Sequence, residues 1–184
     1  MILEIVKFGH PALRTKGARI SQADAKIHKL SEDMLDTMKA ANGVGLAAQQ
    51  VGVPIQLTVI DVSGIEDRPS TMTIGGRPVS ADEHMPLVLL NPELMLSKER
   101  ESGNEGCLSF PEMNAEIVRA AGVRVKAQLL DGSTIEFEAT GLLARALQHE
   151  TDHLHGILFI DRMNSASKAS LAGKLKRLQK ESRV

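Results

Sequence analysis

Two histidines on the inward side of a helix constrain this chain more than any other feature. From Gly141 to His155 the apolar residues keep helical spacing, and Gly156 stands in the position of a C-terminal cap. Leu142 and Ala146 make a stripe whose continuation is His149 and His153, four residues apart on one side. A helix that turns imidazoles inward needs partners for them there, because a buried polar group without one costs free energy. Glu150 is rotated by roughly 100° from His149, so its carboxylate can lean beside the pair. The segment 149-HETDH-153 is thus the HExxH arrangement, in which two histidines bind a metal and the glutamate moves protons. Asp152 reads either as an acceptor for a ring N–H or as an exposed helix acid. His155 points elsewhere, and His10, His28 and His84 stand alone, which suits structural or exposed positions.

Around this helix the pattern is α+β. Ser21 to Asn42 reads as an amphipathic helix with Ser21 and Asp24 as a capping box, Ile27, Leu30, Met34 and Met38 on one face, and Asn42-Gly43 as the stop. Residues 55–62 and 87–94 read as strands, the second ending at Asn91-Pro92. Residues 63–86 read as a long loop with a short hairpin at Gly75-Gly76, and 122–139 as two strands joined around Asp131-Gly132. The C-terminal helix is assigned to 163–184, its pattern clearest over about 167–182, with Leu171, Leu175 and Leu178 on one side. The expected architecture is mixed and antiparallel sheets packed around a central metal-binding helix, with an N-terminal and a C-terminal helix. At 184 residues, one domain spanning 1–184 is expected.

Composition removes several classes of function. With four Phe and no Trp or Tyr, stacking on nucleic-acid bases has almost nothing to work with, and a net charge of −1 steers no polyanion such as DNA. No run reaches the roughly 18 apolar residues of a membrane span, and the N-terminus lacks the pattern of a secretion signal. A lone cysteine, Cys107, fits a reducing compartment. Two histidines leave a catalytic divalent ion one protein ligand short. Asp161 and Glu181 lie downstream, where HExxH peptidases take their third ligand, and Cys107 lies upstream in 105-EGCLSFP-111.

Three segments in order, 43-GVGLAAQQVGV-53, EGCLS and 148-QHETDHLHG-156, together resemble the peptide deformylases. PALR (11–14) and VIDV (59–62) match as well, so the resemblance covers essentially the whole chain. It implies Cys107, His149 and His153 as ligands of one divalent ion, typically Fe2+, with Zn2+, Ni2+ or Co2+ as alternatives. It further implies hydrolysis of the formyl group from the formylmethionine of new polypeptides, with Glu150 as general acid and base. The side-chain amide of Gln50 and the N–H of Leu108 would be oxyanion donors. Val44, Gly45, Leu142 and Ala146, beside His149, would shape the substrate site, and Glu105 and Arg119 would form a buried ion pair. Two departures stand out. Asn114 replaces an arginine that contacts substrate in some relatives, and the 63–86 segment is long.

The C-terminal segment carries Lys168, Lys174, Lys176, Arg177, Lys180 and Arg183 against Glu181 alone. Such a face is either a solvated surface or a contact with ribosomal RNA phosphates. Bacterial cytoplasm is the compartment these features imply. The competing readings are an HExxH metallopeptidase cutting internal bonds and a catalytically silent relative that binds metal or ribosome.

Overall fold

A computed structural model describes residues 1–183. Its elements are antiparallel sheets and three α-helices. The first helix, α1, spans Ala25–Ala40 and starts later than the sequence suggests, because Asp24 is its cap and accepts from the Ile27 N–H at 3.0 Å. Strands β1 (Gly45–Ala47) and β2 (Leu57–Ile60) follow, then a hairpin of β3 (Ser70–Ile74) and β4 (Arg77–Val79). Residues 63–86 are therefore not a plain loop: β3 pairs with β4 around Gly75-Gly76, as that dipeptide suggests, and also joins the main sheet. Next come β5 (Leu87–Leu96), β6 (Arg100–Cys107), β7 (Phe110–Ala120), β8 (Gly122–Gln128) and β9 (Thr134–Thr140).

Seven strands form one antiparallel sheet in the order β1-β2-β5-β8-β9-β3-β4, and β6-β7 form a separate hairpin. Strand β5 does not end at Asn91-Pro92. It passes through with a register shift between Leu90 and Glu93, Asn91 taking φ 50°. There the Asn91 amide holds the Ile20 backbone, accepting from its N–H and donating to its carbonyl, both at 2.8 Å.

Helix α2 (Gly141–Leu154) packs against strands of both sheets. Its start is closed by neighbours, since the Leu143 N–H donates to Ser70 Oγ at 2.9 Å and the Leu142 N–H to the Pro69 carbonyl. Gly141, at φ 70°, lies so close to Pro69 that a side chain there would strike its carbonyl oxygen. Gly156, at φ 74°, follows the helix as expected. Leu142, Leu143, Ala146 and Leu147 bury into a core with Val125, Phe137 and Leu89 of the large sheet. Each buried leucine contributes about 1.5–3 kcal/mol. On the other side of α2, three of the four phenylalanines cluster: Phe110 stacks on Phe8 and meets Phe159 edge-on, both at 5.0 Å between ring centroids. The last helix, α3, runs Ser165–Glu181 behind an Asn164 cap, shorter than the expected 163–184 segment, whose Val184 lies outside the described residues. Leu171, Leu175 and Leu178 pack against the phenylalanine cluster, as their spacing suggests.

Candidate metal centre

The hairpin and α2 bring the sequence's candidate ligands together. Cys107 ends β6, where the ladder register breaks between Gly106 and Cys107, so its side chain turns off the strand toward the helix. Its Sγ lies 3.4 Å from His153 Nε2. The imidazoles of His149 and His153 stand edge-on, 5.0 Å between centroids. One ligand atom from each of Cys107, His149 and His153 falls within 4.8 Å of the others, the one such cluster among the described residues. A four-coordinate ion with ligands at about 2.0–2.3 Å spaces them by roughly 3.3–3.7 Å, so small adjustments close the site.

The donor set fits a divalent cation. His149 Nδ1 sits 2.9 Å from Glu105 Oε1, which leaves Nε2 free for an ion. His153 is almost wholly buried and its Nε2 faces the sulfur, while its Nδ1 has no partner among the described residues. Burial of such a donor set is costly in the absence of a charge to satisfy it.

Glu105 is held far more firmly than a single ion pair would do. Arg119 reaches it with two nitrogens, at 2.8 and 2.9 Å, as the sequence expectation has it. Arg145, which the sequence reading does not single out, adds a third contact at 2.7 Å and also donates to the Ile117 carbonyl. Burial alone would raise the Glu105 carboxyl, but its bonds with Arg119 and His149 outweigh that and hold it well below the usual carboxylate range. Asp152 does not meet a histidine ring. It accepts from Arg119 at 2.7 Å and from Arg162 at 2.9 and 3.1 Å, extending the network to the surface.

Beside the ligands lies a cleft of about 670 Å³. Val44, Gly45, Leu142, Ala146, His149 and Glu150 all line it, together with Gln50, Leu108, Arg68 and Asn114. Glu150 is 4% exposed, and its Oε2 has no hydrogen-bond partner among the described residues. Burial pushes its carboxyl up to about 7, and a cation at the neighbouring ligands would draw it down again. Gly45 leaves room for that carboxylate: a methyl group on it would lie 2.5 Å from Glu150 Oε1. The Gln50 amide is fixed at both ends. Its Oε1 accepts from the Ala47 N–H at 2.9 Å, and its Nε2 is directed to Ser109 Oγ at 3.3 Å and Cys107 Sγ at 3.6 Å. Ser109, fully buried, is a second residue the sequence reading does not single out. Neither it nor Arg145 carries a local signal: one sits inside a motif as a small polar residue, the other within an apolar helix.

Residues 2–169 match the family model described as polypeptide deformylase. The chain is 46% identical to a peptide deformylase of Methylacidiphilum infernorum, the match covering 98% of this chain and 94% of that protein. It is 40% identical to one of Opitutus terrae, over 100% and 96% of the two chains. Among solved structures, a peptide deformylase of Arabidopsis thaliana in complex with an inhibitor superposes with a TM-score of 0.83 at 36% identity, covering 97% of this chain and 91% of that one. The peptide deformylase of Thermotoga maritima gives 0.76 at 37% identity, over 89% and 99%.

Proposed function

The chain belongs to the polypeptide deformylase family and removes the N-formyl group from nascent polypeptides, and we propose that Cys107, His149 and His153 hold the divalent ion that this hydrolysis uses. The single observation that carries the proposal is the meeting of one sulfur and two imidazole rings, from segments about forty residues apart in sequence, at the wall of a cleft that also contains Glu150 and Gln50. Iron(II) is the proposed metal on the family likeness; the donor set itself suits zinc, nickel or cobalt equally. Bound there, a divalent ion supplies Lewis acidity, polarising the formyl carbonyl and making water a nucleophile near neutral pH.

The remaining work falls to side chains and backbone. Glu150, with one carboxylate oxygen unengaged, takes the proton of the attacking water and delivers it to the amide nitrogen as the C–N bond breaks. Formate and a free amine leave. Gln50 Nε2 and the Leu108 N–H donate to the carbonyl oxygen as it gains negative charge, a role favoured by the two-ended fixing of the Gln50 amide. Glu105 sets the tautomer and orientation of His149, and Arg119 and Arg145 keep Glu105 in place.

Substrate binding follows from the edge of the sheet. Strand β1 is terminal in its sheet and pairs only with β2, so its outer edge offers backbone groups to an extended peptide. Main-chain pairing of this kind tolerates many sequences, and Val44, Leu142 and Ala146 would receive the methionine side chain. The six basic side chains from Lys168 to Arg183 are exposed, which supports a ribosome contact, and a bacterial cytoplasmic setting agrees with the bacterial relatives.

The assay is formate release from a formyl-Met peptide by anaerobically prepared enzyme, run beside cleavage of an unformylated peptide. Wild type is expected to release formate and leave internal bonds intact; new internal cleavage would instead support a metallopeptidase. Glu150→Ala is expected to keep its metal and lose about 10²–10⁴ in turnover. Retained turnover would remove Glu150 from the mechanism.

A further inference from the structure

Three consecutive residues near the N-terminus reach both segments that carry the oxyanion donors. The Val6 N–H donates to the Gln50 carbonyl at 2.9 Å, Lys7 Nζ to the Leu108 carbonyl at 3.0 Å, and the Phe8 N–H to the Ser109 carbonyl at 3.0 Å. Phe8 is itself fixed by its stack on Phe110. Lys7 is half-buried, lines the cleft beside Gln50 and Leu108, and pairs with no carboxylate among the described residues. An ammonium stem enclosed in this way, and spent on one carbonyl, is not a solvated surface charge.

We propose that Lys7 is a positioning residue for deformylation, holding the Leu108 backbone so that its N–H is aimed at the oxygen that becomes negative. The proposal rests on the assignment of Leu108 and Gln50 as oxyanion donors. Leu108 and Ser109 form the two-residue turn between β6 and β7, just past the register break, so no strand ladder fixes the Leu108 dihedrals. A donor stabilises an oxyanion fully only when it is oriented before the charge appears. Here the Leu108 carbonyl is held by a charge-assisted bond from Lys7, and the next carbonyl by the Phe8 N–H. Because the Val6 N–H ties the same segment to Gln50, the two donors are set relative to each other by one short stretch of chain. What Lys7 contributes is realised only as charge develops on the carbonyl oxygen. Its loss should therefore be felt in kcat and leave KM almost untouched.

The test compares metal-loaded wild type with Lys7→Met, which keeps the packing of the stem, and Lys7→Arg, which keeps donors for the carbonyl. A fourth protein carries the α-hydroxy acid analogue of leucine at 108, replacing that one N–H with an ester oxygen. Lys7→Met is expected to lower kcat about ten-fold, with KM within about two-fold and metal content and Tm as in wild type. Lys7→Arg should recover kcat to within about three-fold of wild type. The ester alone should lower kcat by about 10²–10³, and adding Lys7→Met to it should cost nothing more, since both act on one group. An unchanged kcat in Lys7→Met, a raised KM with kcat kept, or full additivity with the ester overturns the role of Lys7 while leaving the donors standing. An ester variant with wild-type kcat overturns the donor assignment itself.

Discussion

At the scale of single residues, the site depends on one side chain that is missing. Any side chain at Gly45 would have to displace its neighbour, because a β-carbon there would lie 2.5 Å from Glu150 Oε1. Gly45→Ala should therefore displace Glu150 by a large fraction of an ångström, which in an active site costs about 10²-fold or more in kcat/KM. Overpacking should lower stability by about 1–3 kcal/mol at the same time. Metal content should not change, because the three atoms nearest to a β-carbon at Gly45 all belong to Glu150, which is not a proposed ligand. Formate release with elemental analysis measures both, and an alanine variant with wild-type kcat/KM would mean that the position of Glu150 is immaterial.

At the scale of elements, the site is a joint between the β6-β7 hairpin and α2, and Glu105 is its centre. The hairpin contributes Glu105, Cys107 and Arg119; the helix contributes Arg145, His149, Asp152 and His153. Glu105→Ala leaves nearly buried Arg145 without a carboxylate, leaves Arg119 with Asp152 alone and removes the partner of His149, so stability should fall by about 3–5 kcal/mol. Metal affinity should fall by about 10–100-fold, read from titration against a competing chelator. Arg145→Met leaves Glu105 with Arg119 and should cost only about 1–3 kcal/mol. Equal losses from the two would show that Arg145, not Glu105, is the hub. These elements were unequally legible in the sequence. Helix α2 was plain, because the Leu142–Ala146 stripe and the glycine after it are local signals. The hairpin leaves no such signal: along β7 the buried positions alternate, but Arg119 fills an inward slot and Val118 an outward one, and the Leu108-Ser109 turn holds no glycine or asparagine. Strand β5 hid its course for another reason, since a proline and a left-handed asparagine mark a turn locally while the pairing with β8 resumes beyond them at Glu93. Of the three proposed ligands, His149 and His153 are legible from the helix pattern, but Cys107 only from the family pattern, because nothing in residues 105–111 says locally that the sulfur faces the helix.

At the scale of the whole molecule, α3 has two duties that can be separated. Its leucines close the phenylalanine cluster behind the site, so truncation after Met163 would expose that cluster as well as remove charge. Replacing Lys174, Lys176, Arg177 and Lys180 with glutamine removes charge alone. Formate release from short peptides should stay as in wild type, and ribosome affinity should fall with a shallower dependence on salt. Unchanged affinity in co-sedimentation would leave these side chains as a solvated face. Everything else in the molecule converges on one ion site shared by the hairpin and α2. X-ray absorption spectroscopy of the anaerobically purified protein tests it most directly. One sulfur scatterer at about 2.3 Å and two imidazole nitrogens at about 2.0–2.1 Å are expected, with the sulfur lost in Cys107→Ser. A first shell of nitrogen and oxygen only in the wild-type protein would contradict the site.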